Sequence, residues 1–134
     1  MHSYKHYHRV YYNETDQMSR VYHSNYLIWM EEARTEWFKN IGLNYKDIEA
    51  SGFLLPVRNL SIEYLKGVEY DEKVCIRVFA SNINRIKVEF QYEFYSEDES
   101  TLFARSSSIN VFTDKNGTPN RISKELFDRI VKGA

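Results

Sequence analysis

The chain has 134 residues, a formal net charge of −1 and an aromatic content of 16%. This length fits one domain over residues 1–134, and the balanced charge argues against a nucleic-acid partner. No apolar run approaches the ~20 residues of a membrane span, and the start MHSYKHYHRV lacks the apolar segment of a signal peptide. We therefore expect no membrane partner. The single cysteine, Cys75, excludes an internal disulfide, so we expect a cytoplasmic protein.

The first stretch, residues 4–12, alternates between two faces and predicts a strand. His6 and His8 would share one face of it, with His2 nearby. A metal site needs three or four convergent ligands, and no acidic or cysteine partner stands at a supporting spacing. We therefore interpret these histidines as ordinary strand residues, and we expect neither a metal nor a cofactor.

One long helix is predicted from Ser24 to Ile41, because apolar residues recur there in steps of three and four. The apolar stripe, which covers about half of the helix circumference, consists of Tyr26, Met30, Ala33, Trp37 and Ile41, widened by Leu27, Trp29 and Phe38. Ser24 or Asn25 is expected to cap the first turn, and Gly42 to close the last. A stripe of this width predicts a helix enclosed by other structure.

The remaining elements are predicted to be mostly strands. Alternating patterns indicate strands over residues 57–65, 73–81, 85–95 and 101–113, with an acidic hairpin loop at 96–100. A short helical piece is expected over residues 44–51, and a terminal helix capped by Ser123 over residues 123–131. The pattern predicts an α+β fold in which the long helix covers the apolar face of an antiparallel sheet.

The loop before the long helix carries the most promising chemistry. It contains Asp16 and ends at Tyr22, His23, Ser24 and Asn25. A helix start presents unpaired N–H groups that can stabilise a developing oxyanion. Asp16 could attack a carbonyl or activate water beside them. The alternative is that Asp16 only closes an Asx-turn, as loop aspartates commonly do.

The loop and the helix start belong to a motif that continues in smaller pieces along the chain. Its main part is Tyr12-Asn13-Glu14-Thr15-Asp16, then Val21-Tyr22-His23-Ser24-Asn25-Tyr26, then Trp29, Glu32, Ala33 and Arg34. The later pieces are Leu55-Pro56-Val57, Ile62-Glu63-Tyr64, Tyr70-Asp71-Glu72 and Asp114-Lys115-Asn116-Gly117-Thr118-Pro119. Together they closely resemble the hotdog-fold acyl-CoA thioesterases of the 4-hydroxybenzoyl-CoA thioesterase family.

The resemblance implies a hotdog fold, in which an antiparallel sheet wraps one central helix, and assigns roles to particular residues. Asp16 would be the nucleophile or general base, and the backbone N–H of His23 would polarise the thioester carbonyl. Tyr22 and Asn25 would contact the substrate. The usual members have a glycine where this chain has Ser19-Arg20. The resemblance also implies homodimers or homotetramers with sites between subunits, which fits the open edges of a single sheet.

The expected function is hydrolysis of an acyl-CoA to a free acid and CoA. An acyl-acyl carrier protein substrate and a non-catalytic acyl-binding module remain alternatives. The CoA phosphates require cations, for which Arg58, Arg85 and Lys87 are candidates, together with Arg105. Arg34 lies within the apolar arc of the long helix, so we expect it to pair with Glu14 or Glu63.

Overall fold

Five antiparallel strands and one long helix form the framework of the protein. The structure is a computed structural model that describes residues 3–134. The strands are β1 (Ser3–Arg9), β2 (Val57–Tyr64), β3 (Lys73–Ile83), β4 (Lys87–Ser96) and β5 (Leu102–Val111), in the spatial order β1-β3-β4-β5-β2. The helices are α1 (Asn25–Asn40), α2 (Tyr45–Ala50) and α3 (Lys124–Gly133). The strand pairings are antiparallel, which confirms the predicted α+β class.

One face of α1 packs against the sheet. Its buried side chains recur every three or four residues and are Tyr26, Trp29, Met30, Ala33, Arg34, Trp37 and Phe38. The ring of Trp37 lies 5.2 Å from that of Phe90 on β4, and the ring of Tyr26 lies 5.1 Å from that of Phe94. Burying one large apolar side chain contributes about 1.5–3 kcal/mol, so this contact is the main source of stability. The predicted packing of the long helix against the sheet is confirmed along this face.

The apolar stripe of α1 is narrower than predicted. Leu27, which the periodicity assigns to the enclosed stripe, is 42% exposed. It lies about 100° around the helix from Tyr26 and falls outside the arc that the sheet covers. Periodicity identifies the centre of a buried face more reliably than its margins, because the margins depend on how far the neighbouring strands extend.

The strand register separates two ends of the sheet. Tyr64 of β2 and Phe94 of β4 pair with the same residue of β5. Phe94 contacts Tyr26, so this row marks the end at which α1 begins. Lys87 starts β4 at the other end, about 23 Å away at the usual rise per residue. Val57, the first residue of β2, lies at that same far end.

Two strand boundaries differ from the predicted ones, and local hydrogen bonds explain both. The first strand ends at Arg9 because a single 3₁₀ turn occupies Tyr12–Glu14. The fourth strand starts at Lys87 because Asn84 Oδ1 accepts the N–H groups of Ile86 and Lys87, at 2.8 Å and 2.9 Å, and holds a turn. The other predicted elements agree with the structure within about two residues at each end, the ordinary uncertainty of such boundaries.

Arg34 is buried, and its nearest polar partner is a hydroxyl rather than the predicted carboxylate. Its Nη1 donates to the Tyr92 hydroxyl at 3.0 Å, and that hydroxyl lies 2.7 Å from Ser108 Oγ. Glu63 instead bonds an arginine of β5 at 2.7 Å, and Glu14 serves in the loop described below. The predicted pairing with Glu14 or Glu63 is therefore wrong, because α1 turns Arg34 toward the Tyr92 hydroxyl of β4.

Cys75 is buried and free, as expected for a residue that only packs. Its thiol lies on the sheet face opposite α1, next in sequence to the inward-facing Val74 and Ile76. Within residues 3–134, no helix is both long enough and apolar enough to cross a membrane.

Candidate active site

The loop after the 3₁₀ turn is closed by Asp16. Its N–H donates to the carbonyl of Arg20 at 2.7 Å, and its Oδ1 accepts the N–H groups of Met18 and Arg20, at 2.8 Å and 3.2 Å. The Asx-turn considered from the sequence is therefore present. Among the described residues, Asp16 Oδ2 has no hydrogen-bond partner, and the side chain is exposed. One carboxylate oxygen organises the loop while the other remains available for chemistry.

Ser19 adopts a left-handed backbone conformation within this loop. Its φ is 63°, a region that glycine enters freely and that costs other residues energy. The resemblance places a glycine at Ser19-Arg20, so the serine occupies a turn for which glycine is better suited. The next residue, Arg20, lies across Gly67, where an added Cβ would come within 2.6 Å of the Arg20 side chain.

The start of α1 presents free N–H groups. The carbonyls of Tyr22, His23 and Ser24 accept N–H groups of the first helical turn, at 3.0 to 3.3 Å. Ser24 makes no side-chain cap bond, and the Asn25 amide instead donates to the carbonyl of Glu14 at 2.9 Å. The predicted side-chain cap is therefore wrong. In residues 3–134 no acceptor bonds the N–H of His23 or Ser24, so both remain available to an oxyanion.

A cleft of about 370 Å³ brings the loop and the helix start together. Its lining includes Asp16, Tyr22, His23, Tyr26, Tyr64 and Lys66. The Tyr64 hydroxyl donates to the His23 carbonyl at 3.0 Å, which holds the peptide whose N–H belongs to Ser24. The cleft therefore contains the predicted aspartate and the residue of the predicted backbone donor, and a tyrosine from the end of β2 holds the next peptide along the chain.

Two of the tyrosines of the cleft, Tyr26 and Tyr64, keep their protons at neutral pH. Burial, with the Tyr64 and Glu72 charges adding to it, raises the pKa of Tyr26 to about 12. Burial also raises the pKa of Tyr64 above its ordinary value. Both hydroxyls are therefore neutral donors, and neither brings a negative charge that would oppose an oxyanion at the helix start.

Glu14, two residues before Asp16, is a buried carboxylate with three donors. Its oxygens accept from His8 Nε2 at 2.8 Å, from the Tyr11 N–H at 2.7 Å and from Trp29 Nε1 at 2.8 Å. Burial alone would raise its pKa, but these hydrogen bonds outweigh burial and the pKa lies below its ordinary value. Glu14 is therefore an ionised anchor beside the candidate nucleophile.

The histidines of β1 meet an acidic partner that the sequence spacing did not reveal. Glu32 Oε2 lies 3.1 Å from His6 Nε2 and 3.2 Å from His8 Nδ1. The partner comes from α1, which folds against β1, so the expectation that no acidic residue supports the histidines is wrong. In the part of the chain that the structure describes, no group of His, Cys, Asp and Glu side chains is arranged to hold a metal ion. His2 lies outside the described residues.

The cations predicted to bind phosphates lie away from this cleft within one chain. Arg85 donates to the carbonyl of Ile122 at 2.9 Å, and Lys87 lies 3.7 Å from Glu89. Both belong to the far end of the sheet, and Arg58 is exposed near the same end of β2. Lys66, which the sequence interpretation missed, is the lysine of the cleft itself. Its only sequence signal is its position just after the Ile62-Glu63-Tyr64 piece.

A larger depression of about 470 Å³ lies on the opposite face of the sheet. Its charged side chains are already paired, with Arg105 2.7 Å from Glu63 and Arg77 3.0 Å from Glu93. No helix start is among its lining residues. The smaller cleft, which combines Asp16 with the start of α1, is therefore the candidate active site.

Comparisons with known proteins identify the family of the chain. Residues 10–130 match the thioesterase-like superfamily. YneP of Bacillus subtilis, provisionally named an acyl-CoA thioesterase, is 38% identical over 106 residues, which cover 79% of this chain and 76% of YneP. An esterase of Aquifex aeolicus, also provisionally named, is 31% identical over 90% of this chain and 91% of its own.

Solved structures show the same fold. The DHNA-CoA thioesterase of Staphylococcus aureus superposes with a TM-score of 0.90 at 27% identity, covering 97% of this chain and 89% of that one. The sheet order and the enclosed helix are therefore those of the hotdog fold that the resemblance implied. This chain belongs to the thioesterase-like superfamily.

Proposed function

We propose that this protein hydrolyses acyl-CoA thioesters to a free carboxylic acid and CoA. The observation that carries the proposal is the cleft that Asp16 and His23 line together, at the helix start where the N–H groups of His23 and Ser24 have no acceptor among the described residues. Membership of the superfamily supports thioester hydrolysis. The names of YneP and of the Staphylococcus aureus structure support CoA as the leaving group.

In the proposed reaction the thioester carbonyl oxygen accepts the N–H groups of His23 and Ser24. Asp16 Oδ2 attacks the carbonyl carbon, and the electron pair of the C=O bond moves onto the carbonyl oxygen of the thioester. Collapse of this tetrahedral species breaks the C–S bond, expels CoA thiolate and leaves a mixed anhydride, which water then hydrolyses. Alternatively, Asp16 takes a proton from water, which attacks directly. Both routes build the same oxyanion, and losing one such donor costs about 10²–10³ in rate.

The proposed oligomer follows from the edge strand β2. Its Leu60 and Tyr64 are 40% and 47% exposed, an unusual condition for apolar residues facing a helix. A second copy paired antiparallel along β2 would cover them. It would also bring its own Arg58, Arg85 and Lys87 from the far end of the sheet toward this cleft, where they would bind CoA phosphates.

The homodimer, or a homotetramer built from two such pairs, is tested by light scattering of the purified protein. A dimer or tetramer is expected. A monomer that hydrolyses acyl-CoA at full rate would overturn the shared site. We also infer a cytoplasmic location, which the free thiol of Cys75 supports.

The reaction is tested by measuring free-thiol release from short, long and aromatic acyl-CoAs, with Asp16→Asn measured alongside. The asparagine keeps the size of the side chain but is a poor nucleophile and base, so we expect at least a ~10²-fold loss of rate. Near-normal turnover by Asp16→Asn would overturn the role of Asp16. Release from acyl carrier protein thioesters alone would reassign the leaving group, and no release from either would indicate a binding module.

A further inference from the structure

The carboxylate of Glu14 joins three separate segments of the chain. His8 lies on β1, Tyr11 precedes the 3₁₀ turn and Trp29 lies in the second turn of α1. Each donates one hydrogen bond to Glu14, at 2.7 to 2.8 Å. The Glu14 side chain is 11% exposed, so these bonds are protected from water and are stronger than surface ones.

The backbone of Glu14 holds the other half of the site. Its carbonyl accepts the N–H of Tyr22 at 2.8 Å and the side-chain amide of Asn25 at 2.9 Å. Tyr22 precedes His23, and Asn25 begins α1, so both bonds fix the segment that presents the oxyanion donors. Asp16 follows Glu14 by two residues, so one residue sets the position of both the nucleophile and the donors.

His8 extends this connection to a second carboxylate. Its Nε2 faces Glu14 and its Nδ1 lies 3.2 Å from Glu32 Oε2, while its ring packs 4.9 Å from the ring of Trp29. His8 therefore links the Glu14 carboxylate to Glu32 of α1, so one ring holds the loop, β1 and the helix together.

We propose that Glu14 is a positioning residue for hydrolysis, which sets the separation between Asp16 and the N–H groups of His23 and Ser24. The inference rests on the proposed function. Nothing in the geometry requires Glu14 to touch the substrate, because its two oxygens are occupied by protein donors. Its effect is on the alignment of the reacting groups, where a displacement of about 1 Å costs about 10²-fold in rate.

The test compares the acyl-CoA hydrolysis kinetics of Glu14→Gln with those of the wild type. The NH₂ group of the glutamine amide would face the donors of His8, Tyr11 or Trp29, with which it cannot form a hydrogen bond. The loop should therefore shift while the residues that line the cleft are unchanged. We expect kcat per folded molecule to fall about 10- to 100-fold, with KM changed less than about threefold. Circular dichroism measures the folded fraction, so lost folding is separated from lost alignment. The matched control is Glu99→Gln, which removes an exposed carboxylate 2.8 Å from Lys5.

A second variant keeps the test valid if Glu14→Gln does not fold. His8→Phe retains the ring contacts with Trp29 and Tyr11 but removes the hydrogen bonds to Glu14 and Glu32, and we expect a smaller fall in kcat, about 5- to 10-fold, at unchanged KM. A kcat within twofold of wild type in the folded variants would overturn the positioning role, as would a loss confined to KM. Absence of hydrolysis by the wild type would instead overturn the proposed function, and this inference with it.

Discussion

The loop around Asp16 and the turn around Asp114 share one backbone design. In each, a threonine precedes the aspartate and pairs as an isolated bridge with the residue six positions later. In each, the aspartate Oδ1 accepts the N–H groups two and four residues on, at 2.8 and 3.2 Å for Asp16 and at 2.9 and 3.0 Å for Asp114. The residue three positions on is left-handed in both, Ser19 at φ 63° and Gly117 at φ 85°.

The two turns differ in what lies around them. The Asp16 loop leads into the start of α1, with its free N–H groups, and is anchored by Glu14. The Asp114 turn follows β5 and is bridged to Leu54 through Thr113. An Asx-turn is therefore a way of holding an aspartate, and the proposed chemistry depends on the helix start beside the Asp16 loop. Predictions that separate the shared design from the different surroundings follow from this comparison.

The largest expected difference is in activity between Asp16→Asn and Asp114→Asn. An asparagine oxygen can still accept the loop N–H groups, but it is a weaker acceptor than a carboxylate oxygen. Each variant should therefore lose only about 0.5–1.5 kcal/mol of unfolding free energy. The Asp16 variant should lose hydrolysis at least ~10²-fold, while the Asp114 variant stays within about twofold of wild type. Urea unfolding and thiol release measure the two effects. Equal losses of activity would mean that the aspartates act only by closing turns.

The sequence predicted the framework well because periodicity is a property of buried faces. The steps of three and four from Tyr26 to Trp37, and the alternation of Val88, Phe90 and Tyr92, report side chains that the fold encloses. The same patterns do not report neighbours. Leu27 was assigned to a buried stripe because no pattern along the helix shows where the covering strands stop.

The site was predictable in part, for a similar reason. Asp16 and the start of α1 are close in sequence, so a local motif indicated both. The partners of Arg34 and Glu14 come from distant elements: the Tyr92 hydroxyl lies 58 positions from Arg34, and Trp29 lies 15 positions from Glu14. The cost of burying an unpaired charge predicted a carboxylate partner for Arg34, whereas its partner in the structure is the Tyr92 hydroxyl of the sheet. Such long-range choices depend on register, which spacing along one chain does not give.

A second prediction concerns the anchor that distinguishes the Asp16 loop. Because the pKa of Glu14 is lower in the folded protein than its ordinary value of 4.5, its ionised form stabilises the fold above that pH. This contribution is lost as the pH falls through the lower folded-state pKa. Glu14→Gln should therefore be less stable than wild type at neutral pH, and should lose less further stability between about pH 5 and pH 3. Parallel stability curves for the two proteins in that range would contradict the anchor.

Asp98 provides an internal reference for this measurement. Hydrogen bonds from Ser100 and Ser96 lower its pKa to about 2, and it lies in the hairpin after β4, away from Glu14. Its titration is common to wild type and Glu14→Gln, so it cancels when the two curves are subtracted. The difference curve should therefore report the titration of Glu14.

The smallest expected effect comes from exchanging the left-handed residues of the two turns. Ser19→Gly removes a conformational cost but makes the unfolded chain more flexible, so we expect a gain of about 0.5 kcal/mol. Gly117→Ser should lose about 0.5–1 kcal/mol for the converse reason, since an added Cβ at Gly117 meets no atom within 4 Å and the penalty is purely conformational. Urea unfolding measures both. If the unfolding free energy changes in the same direction in both variants, the two turns are alike only in their hydrogen bonds. Opposite changes in unfolding free energy, with unchanged thiol release, would show that the serine lowers stability without contributing to the reaction.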